Sequence, residues 1–244
     1  MNLNHSSFKN GGIFLLGLLL TSYLLIIFFR FEQSLQGNLS LLKVFLLSPL
    51  IHTKKTHFIS NFTFNGLCHT YFLLSTMVCP GEFLKGLKKV YLAVLTVNWV
   101  HVGGAGYILA LACFTMKGVK VTLSSLTLLG FSTIIYGFAG IILAAWLPFT
   151  VKALRMPRQE NPANTVEGFL LYILGLLVIG SALIGFYQNL LNLDWKESCL
   201  WFWISTSTIG QEKVKVNFTG HVLGFLVGLA FALANKRFRL LWAR

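Results

Sequence analysis

Three short stretches of this chain carry side chains able to do chemistry. Gly130-Phe131-Ser132-Thr133-Ile134-Ile135-Tyr136 opens an apolar run that continues to Phe149 and puts a hydroxyl at its mouth. His52-x4-His57-x3-Asn61 enters an earlier apolar run, and Gly220-His221-x2-Gly224-x3-Gly228 enters the last one. A serine at the mouth of a membrane helix is ordinary by itself, because its hydroxyl can bond back to a carbonyl and small residues let helices approach. Next to an imidazole in a partly desolvated pocket the same hydroxyl becomes a nucleophile, and imidazole is the usual group to take its proton. Whether that pair forms depends on the helices that carry Ser132 and His221.

Composition fixes what those elements are. The chain is 55% apolar and only 11% charged, against roughly 25% charged residues in a soluble domain, and its mean hydropathy is +0.72. A bilayer core about 30 Å thick takes around 20 apolar residues per helix. Six runs of that kind are expected to span: Gly12 to Phe29, His57 to Val78, Val90 to Met116, Ser132 to Phe149, Gly168 to Tyr187, and Asn217 to Ala234. Membrane strands would show ten-residue alternation instead of continuous runs. The expectation is an all-α membrane protein, one six-helix bundle over residues 1–244. The first run lacks a small-residue cleavage site and reads as a retained anchor. A net charge of +13 comes from Lys and Arg scattered through short loops, which points to lipid headgroups rather than nucleic acid. The excess of Lys and Arg on the side of both termini is small and in the direction expected if both lie in the cytoplasm. The four cysteines fit no metal spacing, and Cys68, Cys79 and Cys113 read as buried small apolar residues.

Two connections are long. Within Arg30 to Thr56, the apolar Leu41 to Leu47 ends at Pro49 and suits a segment lying in the interface. Gln188 to Val216 carries Trp195, Trp201 and Trp203, residues that favour the membrane boundary. In the second span His57, Asn61, Asn65 and His69 recur every four residues and share one helix face. That polar stripe must look into the bundle or a hydrated cavity, either as interhelical hydrogen bonds or as a site.

Parity supplies the meeting point. With six spans, the second, fourth and sixth run the same way and begin on one side of the bilayer, so His57, Ser132 and His221 share a depth just below one surface. Gly224 and Gly228 on the His221 face let the fourth and sixth helices approach closely. Neither helix carries an acidic residue to orient the ring, so any catalysis would be by a dyad with the ring held by packing.

At these positions the sequence resembles the rhomboid intramembrane serine proteases. The family's marks are H-x4-H-x3-N entering the second helix, G-x-S-G entering the fourth, and a small residue before His with spaced glycines in the sixth. His52, His57 and Asn61 match the first, Gly130 and Ser132 most of the second, and Gly220, His221, Gly224 and Gly228 the third. The resemblance covers about residues 48 to 234. It implies Ser132 as nucleophile, His221 as general base, His57 and Asn61 stabilising the oxyanion together with the Ser132 amide, and Tyr136 packed against the His221 ring. Thr133 stands where the family usually has Gly, adding a branched side chain beside the nucleophile where the sixth helix should pass.

The function so implied is an intramembrane serine endopeptidase that cleaves transmembrane segments of membrane proteins near the membrane surface, in the cell membrane, with no cofactor and no metal. The alternative is a catalytically inactive rhomboid-like protein that binds or sorts single-span membrane proteins. A small transporter would need matched broken helices in two half-repeats, and no such symmetry is present. A metalloprotease would need H-E-x-x-H, which is absent, and His52 and His57 have no carboxylate between them.

Overall fold

The computed structural model describes residues 5–31, 55–101, 104, 106–118, 131–155, 165–209 and 212–239. These form α1 (His5–Phe31), α2 (Lys55–Val78), α3 (Gly81–Val100), α4 (Gly106–Met116), α5 (Ser132–Arg155), α6 (Val166–Leu191), strands β1 (Ile204–Ile209) and β2 (Glu212–Asn217), α7 (Phe218–Ala234) and the short α8 (Lys236–Arg239). The molecule is mostly helical, as expected. Among the described residues two helices, α5 and α6, are long and apolar enough to cross a membrane, and two shorter apolar stretches lie at Gly11–Ile27 and Phe218–Ala234. α2 is diluted by His57, Asn61, Asn65 and His69, and α3 by Glu82, Lys85, Lys88 and Lys89.

Three expectations need correction. The run expected over Val90 to Met116 is two helices. α3 begins at Gly81, directly after Pro80, and α4 follows a glycine-rich segment. Glycine costs helix stability at about 1 kcal/mol per residue, so a cluster of them is where a long apolar run breaks. The fold is also not all-α: β1 and β2 pair antiparallel, with Ile204 opposite Asn217 and Ile209 opposite Glu212. Finally, Cys113 is not a simple buried thiol. It forms a disulfide with Cys199, with Cα atoms 5.8 Å apart, whereas Cys68 and Cys79 are free. The segment expected to lie in the interface, Leu41 to Leu47, is outside the described residues.

α5 is the central helix. Every residue from Phe131 to Ile142 is buried, the pattern of a helix surrounded by others. It packs most extensively on α7. The approach is backbone to backbone: a Cβ on Gly228 would strike the carbonyl oxygen of Gly137, and one on Gly140 would strike that of Phe225. On the far side an aromatic cluster ties α1, α2 and α3 to α5. Phe14 meets Phe72 at 5.5 Å and Tyr91 at 5.2 Å, and Tyr91 stacks on Phe138 at 4.9 Å. Rings in these offset and edge-on arrangements add about 0.5–1.5 kcal/mol per pair beyond their burial.

Candidate active site

The site is built on the first turns of α5 and α7. Ser132 is the first residue of α5, where amides have no partner within the helix and the dipole favours negative charge. The start of α7 is fixed twice. Asn217 caps it, its Oδ1 accepting the Gly220 N–H at 2.8 Å, and the base of the hairpin grips the same turn. There the Phe218 N–H donates to the Trp203 carbonyl at 2.9 Å, and the Trp203 N–H donates to Thr219 Oγ1 at 2.7 Å. β2 thus delivers the chain into α7 at a defined angle, four residues before His221.

The two groups meet. His221 Nε2 lies 2.8 Å from Ser132 Oγ, with both residues buried. The His221 ring stacks on Tyr136, one turn below Ser132, with centroids 4.3 Å apart and planes 16° from parallel. Tyr136 is held in turn by Phe186 at 4.8 Å and Phe64 at 5.9 Å. The ring is therefore clamped in plane while its Nε2 edge faces the hydroxyl, the arrangement in which a neutral imidazole accepts a hydroxyl proton.

Thr133 is accommodated by the facing helix. A Cβ on Gly220 would lie 2.6 Å from Thr133 Oγ1, and one on Gly224 would run into the Thr133 carbonyl, with Thr133 Cγ2 at 3.2 Å. The space taken by the branched side chain is the space left by these two glycines. On its other side the Thr133 carbonyl accepts a long hydrogen bond from Asn98 Nδ2 at 3.5 Å.

A cavity of about 590 Å³ opens over the pair, lined by His57 and Asn61 of α2, Ser132 and Tyr136 of α5, Ser181, Gly185, Gln188 and Asn189 of α6, and His221 of α7. His57 Nε2 and Asn61 Nδ2 are 3.2 Å apart. The polar stripe of α2 divides below them. Asn65 Nδ2 donates to Thr21 Oγ1 of α1 at 3.1 Å. His69 Nδ1 lies 2.9 Å from the Asn65 carbonyl and its Nε2 2.8 Å from Tyr91 Oη. A carbonyl only accepts, so His69 carries its proton on Nδ1, and its Nε2 accepts a hydrogen bond from the Tyr91 hydroxyl. The upper half of the stripe lines the cavity and the lower half joins helices. Of the other expected site residues, Gly224 and Gly228 lie at the α5–α7 contact, while His52 and Gly130 are outside the described residues.

One residue at the site was not among those expected. Asn189 is buried with Nδ2 3.2 Å from His221 Nδ1. Its helix was expected to end at Tyr187, where the apolar run ends, but α6 continues to Leu191. The signal in the sequence is the spacing Ser181, Gly185, Asn189, which places small and polar residues on one face at i, i+4 and i+8. Known protein families, curated proteins and solved structures give no match to this chain.

Proposed function

We propose that the chain is an intramembrane serine endopeptidase of the rhomboid type, cutting peptide bonds in the transmembrane segments of other membrane proteins. The observation that carries this reading is the 2.8 Å contact between His221 Nε2 and Ser132 Oγ at the floor of a cavity that also holds Asn61 and His57. Six membrane crossings are proposed, formed by α1, α2, α3 with α4, α5, α6 and α7.

In the reaction, Ser132 Oγ attacks the scissile carbonyl carbon as its proton passes to His221 Nε2. The carbonyl oxygen becomes an oxyanion at the α5 N-terminus, where the Ser132 amide, the Asn61 carboxamide and the His57 ring serve as donors. Each such donor contributes about 2.7–4 kcal/mol to lowering the barrier. The C–N bond breaks as His221 returns the proton to the leaving amine, which gives an ester on Ser132. Water then attacks the ester carbonyl carbon as its proton passes to His221 Nε2; the C–O bond to Ser132 breaks, His221 returns the proton to Ser132 Oγ, and the acid product leaves. A cavity of this size, set in apolar helices, takes a short extended peptide, so a helical substrate must unwind locally to present its bond.

The disulfide supports an orientation for this reading. Cys199 sits on the loop whose Trp203 anchors the start of α7, so the Cys113–Cys199 bond lies on the side of the membrane where the cavity opens. Disulfides persist in oxidising compartments, which supports a mouth on the exoplasmic side, with the cell membrane as the proposed location.

The test is cleavage of a single-span reporter protein in proteoliposomes. Wild type is expected to produce a defined cut, and Ser132→Ala to abolish it without lowering the melting temperature. Cleavage that survives Ser132→Ala rules the protease out. Stable co-purification of the reporter without any cleavage by wild type would instead mark a non-catalytic binder.

A further inference from the structure

Three side chains meet the His221 ring. Tyr136 covers its face and Ser132 meets Nε2, while the opposite nitrogen, Nδ1, faces Asn189 of α6 at 3.2 Å. We propose that Asn189 is a positioning residue: its side-chain carbonyl accepts the Nδ1–H of His221 and so holds the ring in the tautomer whose Nε2 is free to take the Ser132 proton. This inference rests on the proteolytic reading and adds a third member to the expected dyad.

The argument is one of proton count. A neutral imidazole has one N–H, and the nitrogen facing Ser132 must be the bare one if it is to act as base. The proton then sits on Nδ1, where it needs an acceptor in a buried site. Neither α5 nor α7 carries a carboxylate, and the Tyr136 ring stacked on His221 offers only its face. Among the described residues, the group within reach of Nδ1 is the Asn189 amide. Its oxygen and nitrogen are nearly identical in shape, so a half-turn about the last side-chain bond exchanges a donor for an acceptor at the same 3.2 Å. With Nδ2 toward the ring, the proton would have to sit on Nε2 and point at Ser132, and the pair could not react. With Oδ1 toward the ring, the bond network runs Ser132 Oγ–H to Nε2 and Nδ1–H to Oδ1. The same logic appears on unrelated folds where Asn replaces Asp behind a catalytic imidazole.

Placement agrees with that role. Asn189 lies in the last turn of α6, one turn above Gly185, whose missing side chain leaves room for Tyr136 Oη. The helix thus contributes to both constraints on the ring, a gap for the stacking partner and a carboxamide for the edge. α6 packs on α2, α5 and α7, so its position reports on all the elements of the site.

The experiment combines ¹⁵N NMR of histidine-labelled protein in nanodiscs with cleavage kinetics. In wild type the His221 signals should show a protonated Nδ1 and a bare Nε2, and Asn189→Leu, which keeps the volume, should change that pattern. Asn189→Leu should lower kcat by about 10- to 100-fold, the scale of a misplaced reacting group, with KM little changed. Asn189→Asp, which can only accept, should restore kcat to within about tenfold of wild type. A resting His221 protonated on Nε2, or wild-type kcat in Asn189→Leu, overturns the inference while leaving Ser132-dependent cleavage intact. Should wild type fail to cleave, the proteolytic reading falls and the tautomer measurement alone decides the Asn189 contact.

Discussion

Replacing Gly228 by Ala tests whether close backbone approach is what makes the site. The added Cβ would strike the carbonyl oxygen of Gly137, and the carbonyl carbon would lie 2.8 Å from it, where ordinary contact begins near 3.4 Å. Both atoms belong to helix backbone, so no rotamer change relieves the clash, and the oxygen, the nearer of the two, requires α5 and α7 to part by about 1 Å or more at that level. Gly228 lies seven residues, about two turns, from His221 and on nearly the same face of α7. If the helix moves as a unit, Ser132 Oγ and His221 Nε2 separate from 2.8 Å to beyond about 3.3 Å, outside the range of an O–H···N hydrogen bond. The expected cost is about 1–3 kcal/mol of stability from overpacking, together with a 10- to 100-fold loss of kcat, on the scale of about 100-fold for a 1 Å misplacement. Thermal melting in detergent and cleavage of the single-span reporter measure the two effects separately. Gly180→Ala is the control, since nothing lies within 4 Å of the added carbon. Wild-type kcat in Gly228→Ala would refute the claim that this contact sets the geometry.

Three further outcomes are expected. Tyr136→Ala removes the ring stacked on His221 and should cost about 3–5 kcal/mol of stability along with most of the activity, whereas Tyr136→Phe should keep both; equal kinetics for the two variants would show that the stack is idle. The two halves of the α2 stripe should separate in mutagenesis. Asn61→Ala is expected to lower kcat by about 100- to 1,000-fold with little change in melting, and Tyr91→Phe, which strips His69 Nε2 of its partner, to lower stability by about 1–3 kcal/mol with kcat unchanged. Cys113 and Cys199 should resist maleimide–polyethylene glycol until reductant is added from the exoplasmic side. Their reduction should lower the melting temperature, with about 4.6 kcal/mol as the ceiling from chain entropy; gel shifts without reductant in a Cys68→Ala/Cys79→Ala background, which removes the two free thiols, would contradict the disulfide.

The pairing of Ser132 with His221 was legible because its signals are local and periodic. Ser132 and His221 each sit at the start of an apolar run beside small residues, and helix parity puts such starts on one side. The packing glycines Gly224 and Gly228 were legible for the same reason. What escaped lies where hydropathy is a poor guide to helix ends. Asn189 was lost because a span boundary drawn at the last apolar residue discards the polar turn that reaches the cavity, although a helix continues as long as its backbone is satisfied; here the Asn192 N–H still reaches the Gln188 carbonyl at 3.1 Å. The hairpin was masked because the Trp residues around it match an interfacial loop equally well. The Cys113–Cys199 pairing joins residues 86 apart, and no local pattern encodes a partner at that distance. Asn65 and His69 share a face with Asn61 yet bond to α1 and α3, because a stripe of four turns on one helix spans more neighbours than one site needs.

The most direct measurement is mass spectrometry of the intact protein in native membranes after treatment with a fluorophosphonate. One phosphonyl adduct is expected, on Ser132, which disappears in Ser132→Ala and forms far more slowly in His221→Ala. A wild-type protein that stays unmodified, or a His221→Ala variant that is modified as fast as wild type, would contradict it.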